Sequence, residues 1–201
     1  MKLVFASNNA HKLAEVRQIM PAGTEVLSLH DIGFEHDIDE TGTTLEANSA
    51  IKAQTVYQWL HDQMANGQMV NDKMVNDLGI FADDTGLEIE ALGGQPGVYT
   101  ARWAGEPAAN RAKALRELAG QTNRRAQFRT VITLIRNGRM QQVEGIVRGR
   151  IAEEEYGQGG FGYDPVFIPE GYDKTFGELP PAIKNNISHR ARALAQLVQL
   201  L

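Results

Sequence analysis

The chain has 201 residues, 42% of them hydrophobic and 22% charged, with 20 Gly, 7 Pro and no Cys. That is enough apolar chain for a folded core of about one domain, and it excludes disulfides, thiolate zinc sites, iron–sulfur clusters and a cysteine nucleophile. The net charge of −5 argues against a nucleic-acid polymer as partner, although it averages 13 acids and 2 bases over residues 31–90 with 3 acids and 11 bases over residues 101–150.

No apolar run approaches the ~18 residues of a membrane span. Met1-Lys2-Leu3-Val4-Phe5-Ala6 meets polar Ser7-Asn8-Asn9 too early for a signal peptide. The expectation is a soluble, cytoplasmic chain with no membrane partner.

Residues 2–6 predict a short apolar strand and residues 9–20 a helix on Leu13, Val16 and Met20, stopped by Pro21. Residues 24–29 alternate as a second strand and residues 35–43 form an acidic loop. Thr43 and Glu46 stand in capping-box spacing before a helix over about 44–64, whose Ala50, Ala53, Tyr57 and Leu60 recur at three and four residues and whose polar face carries Asn48 and Lys52. A loop insertion follows at about 66–78, where Met69-Val70-Asn71-Asp72 is repeated as Met74-Val75-Asn76-Asp77.

Residues 79–82 predict a short buried strand, Asp83-Asp84-Thr85-Gly86 a turn, and residues 87–91 an alternating strand, with a further turn at Gly93-Gly94-Gln95-Pro96-Gly97. Ala108, Ala112, Leu115 and Ala119 mark a helix ended by Gly120. Phe128, Thr130, Ile132 and Leu134 then alternate as a strand, and Asn137-Gly138 turns it back into residues 143–151. A short strand near Val166-Phe167 precedes a last helix from Ser188, with Leu194, Leu197, Val198 and Leu201 on one face. This order predicts one mixed α/β domain over residues 1–201 with a long central sheet flanked by helices.

Four constellations could carry chemistry. Ser7-Asn8-Asn9-Ala10-His11-Lys12 lies where strand gives way to helix, so free N–H groups, the positive helix end and Lys12 could cradle a phosphate; a plain helix cap by Ser7 or Asn9 is the other reading. Asp83 and Asp84 end an apolar strand, where a hard cation such as magnesium could neutralise them, with Glu40 as a candidate second ligand; an Asp-rich turn is the alternative. Phe161-Gly162-Tyr163-Asp164-Pro165 offers a ring to stack on a flat base and a carboxylate to accept ring N–H groups, or else a structural turn. Lys184 and the His189-Arg190 pair could read carbonyl or phosphate oxygens, or else form a solvated face.

Two other matches fail. Asp84-Thr85-Gly86 is the triplet of aspartic proteases, but only one copy exists and Leu87 follows where a small residue belongs. Gly157-Gln158-Gly159-Gly160-Phe161-Gly162 fits the dinucleotide fingerprint, yet Tyr163-Asp164-Pro165 blocks the helix that fingerprint must open.

Taken in order, six segments resemble the Ham1-like inosine triphosphate pyrophosphatase family. They are residues 5–12; Glu40-Thr41-Gly42-Thr43-Thr44-Leu45-Glu46 with Asn48 and Lys52; residues 82–87; residues 96–105; residues 160–165; and Lys184-Asn185 with Ile187-Ser188-His189-Arg190. The resemblance implies a mixed α/β fold with an elongated sheet and two lobes around a substrate cleft, a homodimer, a magnesium requirement, and hydrolysis of non-standard purine nucleoside triphosphates (ITP, dITP, XTP) to monophosphate and pyrophosphate.

It further implies that Ser7, Asn8, Asn9, Ala10, His11 and Lys12 hold the triphosphate, that Lys184, His189 and Arg190 contact the nucleotide, and that Phe161, Gly162, Tyr163 and Asp164 surround the base. Thr85 would touch substrate. Asp84 would be the catalytic carboxylate and a metal ligand, with Glu40 as a further ligand, Asp83 supporting, and Lys52 and Arg102 in a second tier. The chain departs from the family pattern in the insertion at 66–78, in Ala47 before Asn48, and in a more basic stretch over residues 108–113. A non-catalytic nucleotide-binding module has nothing to favour it, because Lys12, Asp84, Lys184 and Arg190 are all present. The His189-Arg190 and 161–165 segments point away from a Maf-like pyrophosphatase of other nucleotides.

Overall fold

The computed structural model describes residues 1–66 and 78–201. The repeated Met-Val-Asn-Asp insertion falls outside them. The chain forms β1 (Lys2–Phe5), α1 (Ala10–Ile19), β2 (Glu25–Leu27), α2 (Leu45–Ala65), β3 (Gly79–Ile89), β4 (Pro96–Gly97), α3 (Pro107–Glu117), β5 (Arg125–Arg136), β6 (Arg139–Ile151), β7 (Phe167–Pro169), α4 (Pro181–Ile187) and α5 (His189–Gln199). Seven strands make one mixed sheet in the order β2-β1-β3-β5-β6-β7, with β4 paired to β3. The expected α/β class and central sheet are both present.

Three local expectations are corrected. Asp83-Asp84-Thr85-Gly86 is not a turn: β3 runs unbroken through it for 11 residues. Ladder pairing and burial override the turn propensity of those four residues. The helix cap lies one residue later than the Thr43–Glu46 spacing suggests, for Thr44 caps α2 by accepting the Ala47 N–H. Asn48 and Lys52 are not on a solvated face, since both are buried. The Asn137-Gly138 turn is as expected, with φ of 52° and 69°, the pair of positive values that a two-residue hairpin needs. The helix α4 was not anticipated; Pro180 and Pro181 mask it in sequence, although proline suits a first helical turn.

The chain divides into two compact units. The first comprises residues 1–84, 131–143 and 194–201, and the second residues 85–130 and 144–193. In the first, β1 pairs in parallel with both β2 and β3. Its core sets Val4, Ala6, Ile80 and Ala82 against Ala53, Val56 and Leu60 of α2. Ser49 Oγ fastens that helix to the sheet, donating to Ala82 O at 2.9 Å and accepting from Thr133 N at 2.9 Å.

The second unit packs Leu87, Ile89, Phe128 and Val147 with Ala114 and Leu118, and with Tyr163, Phe167 and Phe176. No helix among the described residues is long and apolar enough to cross a membrane.

Candidate active site

In the first unit the chemistry collects past the carboxyl end of β1. That strand stops at Phe5, opposite Phe81, and Ala6 N makes a last bond to Phe81 O at 2.8 Å. The chain then leaves for α1 while β3 continues through Ala82, so that Asp83 and Asp84 stand beside the departing loop. The ends of parallel strands are where such loops gather function.

Ser7-Asn8-Asn9 forms the entry to α1. Asn9 Oδ1 caps the helix on Lys12 N at 3.1 Å, and Ser7 Oγ accepts Asn9 N at 3.2 Å. Asn8, Asn9, Ala10 and His11 are exposed. Lys12 reaches back to put Nζ 2.9 Å from Asp83 Oδ1. The cap reading holds and leaves room for a phosphate cradle, because an N-cap leaves other first-turn N–H groups outward.

Lys52, from the buried face of α2, sits between two acids: Nζ is 3.2 Å from Glu40 Oε2 and 3.4 Å from Asp84 Oδ1. Lys52, Asp83 and Asp84 are only 7%, 1% and 8% exposed. The Glu40 loop is fixed to the same helix by Gly42, whose N–H donates to Asn48 Oδ1 at 2.8 Å. A side chain at residue 42 would strike Asn48 and Ala47, so the close approach requires glycine.

Burial pushes the Asp84 carboxyl above the ordinary aspartate value, against the lowering fields of Lys52 and Lys12. For Lys52 burial again opposes the charge, but the Asp84, Asp83 and Glu40 carboxylates outweigh it and its pKa is raised. Asp84 Oδ2 is buried and has no hydrogen-bond partner among the described residues. Buried acceptors of that kind call for an occupant.

No three His, Asp or Glu among the described residues form a ready metal cage. The carboxylates of Asp84 and Glu40 are the oxygen donors here that a hard cation could use.

In the second unit, Lys184 of α4 and Asp164 form a buried pair at 2.6 Å. The same Asp164 Oδ2 accepts the Phe161 N–H at 2.7 Å. Gly160 (φ 72°) passes so close to that carboxylate that a Cβ would collide with it. Phe161 is half-buried, with Lys184 Nζ 4.6 Å and the Arg190 guanidinium carbon 5.7 Å from its ring centre.

His189 and Arg190 are buried rather than solvated; His189 stacks on Phe128 at 4.6 Å, and Ser188 Oγ accepts Ala191 N at 3.2 Å as a cap. Tyr163 belongs to the core, with its hydroxyl donating to Thr100 O at 3.2 Å. Thr85 Oγ1 pairs with Thr130 Oγ1 at 2.8 Å, and the Arg102 guanidinium lies 5.5 Å from the Tyr99 ring centre.

The structure thus groups Glu40, Lys12, Asp83 and Asp84 in one cluster and Phe161, Asp164, Lys184 and Arg190 in another. Sequence reasoning underrated Lys52 and passed over Ser49. The available signal was phase: Leu45, Asn48, Ser49, Lys52 and Val56 fall on one helical stripe, so polar residues there are buried by position.

An α/β protein with two clusters of buried carboxylates and lysines is the class these features define. The chain belongs to the Ham1 family, whose model matches residues 3–200. It is 48% identical to the dITP/XTP pyrophosphatase of Flavobacterium johnsoniae over 100% of this chain and 98% of that one. It is 47% identical to the dITP/XTP pyrophosphatase of Porphyromonas gingivalis, over 100% and 97%. Among solved structures, the Staphylococcus aureus Ham1 protein superimposes with a TM-score of 0.82 at 36% identity, covering 100% of this chain and 97% of that one.

Proposed function

We propose that this chain is a nucleoside triphosphate pyrophosphatase that hydrolyses ITP, dITP and XTP to the monophosphate and pyrophosphate, keeping deaminated purines out of DNA and RNA. Full-length relatives named dITP/XTP pyrophosphatase support the reaction. The observation that carries the mechanism is Asp84 Oδ2, a buried acceptor with a raised pKa beside two lysines.

In this reading Ser7, Asn8, Asn9, Ala10 and His11 present backbone and side-chain donors to the phosphates, and Lys12 offsets their charge. Asp84 orients a water toward the α-phosphorus and takes its proton at Oδ2, for which a raised carboxyl pKa is suited. Lys52 holds Asp84 and Glu40 at one place, and Asp83 holds Lys12. Asp84 and Glu40 would bind Mg²⁺, which supplies charge neutralisation on the phosphate oxygens and a more acidic water. Phe161 stacks on the purine, and Gly162, Tyr163 and Asp164 shape the turn that presents it. Lys184, His189 and Arg190 supply donors that favour a 6-oxo group over the adenine amino group, while Thr85 contacts substrate. A cytoplasmic homodimer, with residues 1–201 as one catalytic domain, completes the proposal.

A panel of ITP, dITP, XTP, ATP and GTP with magnesium tests it. Pyrophosphate should come chiefly from the first three; release of orthophosphate, or indifference to the base, would overturn the reading.

A further inference from the structure

The basic stretch over residues 108–113 has no task in the reaction just described, yet one of its residues reaches the turn assigned to the base. Arg111 of α3 donates from Nη1 to Gly162 O at 2.9 Å, and its Nε lies 3.0 Å from Glu155 Oε2. Gly162 has φ 61°, a left-handed conformation that glycine adopts without strain but equally leaves without strain. It has no side chain to anchor, so its carbonyl is the handle by which a neighbour can hold it.

The residues on either side are fixed in different ways. Tyr163 is seated in the core through its hydroxyl bond to Thr100 O. Phe161 is only half-buried and is held by its N–H bond to Asp164 Oδ2, by its carbonyl accepting the Asp164 N–H at 3.2 Å, and by the cations over its ring, among other contacts. Gly162 is the link between them, and its freedom would become freedom of the Phe161 ring. The guanidinium donates from Nη1 to Gly162 O and sets Nε at ion-pair distance from Glu155, where Nε makes no hydrogen bond among the described residues. Of those two contacts the Gly162 bond is the more important. Glu155 is 40% exposed at its side chain, and exposed ion pairs contribute little.

We propose that Arg111 is a positioning residue that clamps the Gly162 carbonyl and thereby fixes the Phe161 ring for purine recognition, with Glu155 orienting the guanidinium. The proposal rests on the base-binding role given above to residues 161–164.

The test compares the wild-type chain with Arg111→Ala and Arg111→Lys in two measurements: steady-state hydrolysis of ITP, and amide hydrogen exchange of residues 157–165 in the ligand-free protein. Loss of a charge-assisted bond of this kind predicts a KM about tenfold higher for Arg111→Ala with kcat within about twofold, and about tenfold faster exchange in the turn. Arg111→Lys should recover part of both. An unchanged KM with unchanged exchange overturns the proposal, as does a parallel loss of kcat that Arg111→Lys does not relieve. If the wild-type chain does not hydrolyse ITP, the proposed function fails, and the exchange comparison still decides whether Arg111 holds the turn.

Discussion

Lys52 Nζ lies 3.4 Å from Asp84 Oδ1, an ammonium from the buried stripe of α2 set against a carboxylate in the middle of β3. Neither residue would be buried alone, since an unpaired charge at such a place costs several kcal/mol. Together with Glu40, Asp83 and Lys12 they form a cluster of three acids and two bases. One acid is in excess. Asp84 has a raised pKa and a second oxygen with no hydrogen-bond partner among the described residues. The excess is concentrated on the residue best placed to receive a proton or a cation.

Asp84→Asn should therefore separate activity from stability. Turnover of ITP should fall at least about 100-fold, the usual scale for losing a general base, while binding of the triphosphate persists. Because burial raises the folded-state pKa of Asp84, its charged form is less favourable in the native state than in the unfolded chain, and wild type loses stability as pH rises from the ordinary value through the folded one. Asparagine is always neutral. The variant should melt at or above the wild-type temperature at pH 7, and the advantage should disappear below pH 3.8, the ordinary aspartate value. Near-normal turnover would remove Asp84 from the mechanism.

Lys52→Met should do the reverse. It leaves Asp84 and Glu40 without their shared cation, and urea titration at neutral pH should show a loss of about 3 kcal/mol, the cost of breaking a buried pair from one side. The Lys52 pKa is raised. Its stabilisation is thus fully present below the ordinary lysine value of 10.5 while the carboxylates stay charged, and is lost as pH climbs through the folded value. The gap between variant and wild type should hold through the neutral range and narrow only at strongly alkaline pH. A gap that closes at pH 8 would mean Lys52 is not held charged by its neighbours.

How much of this could be read in the sequence depended on whether the deciding force was local. The Asn137-Gly138 hairpin was legible because two adjacent residues supply both positive φ values. The interruption expected at Asp83-Asp84-Thr85-Gly86 was not real: those residues have turn composition, and what keeps them extended is pairing with strands distant in sequence, which local propensity does not contain. The same limit hid Lys52. A lysine normally marks the solvated face of a helix, and only its phase with Leu45, Ser49 and Val56 placed it inward. The identities of Asp84, Lys12, Lys184 and Arg190 were visible as motif residues; which acid each lysine meets was not, because those pairs join segments 20 to 71 residues apart.

Ser49→Ala should show that one hydroxyl helps register the helix carrying Lys52 to the sheet. That oxygen is both donor to Ala82 O and acceptor from Thr133 N. Removing it strands two buried backbone groups, for which about 1–3 kcal/mol is expected, measurable as a lower urea midpoint. Since Ala82 directly precedes Asp83 and Asp84, kcat for ITP should also fall, by about three- to tenfold. Loss of stability with unaltered kcat would show that Ser49 supports the fold without aligning the carboxylates.

The second buried pair offers a cycle that separates its two roles. Lys184→Met takes away the ammonium 2.6 Å from the Asp164 carboxylate, at a position 2% exposed, and should cost about 3–5 kcal/mol. Asp164→Asn should cost less, because the amide oxygen can still accept from the Phe161 N–H while the ammonium keeps its contacts with the Phe161 and Phe176 rings. The double variant Lys184→Met/Asp164→Asn removes both members of the ion pair and should recover much of the stability lost by Lys184→Met alone, a coupling readable by urea titration. Activity should not recover with it. If Lys184 is the donor to the purine oxygen, the preference for ITP over ATP stays reduced in the double variant, whereas a preference restored along with stability would show that Lys184 acts only through the fold.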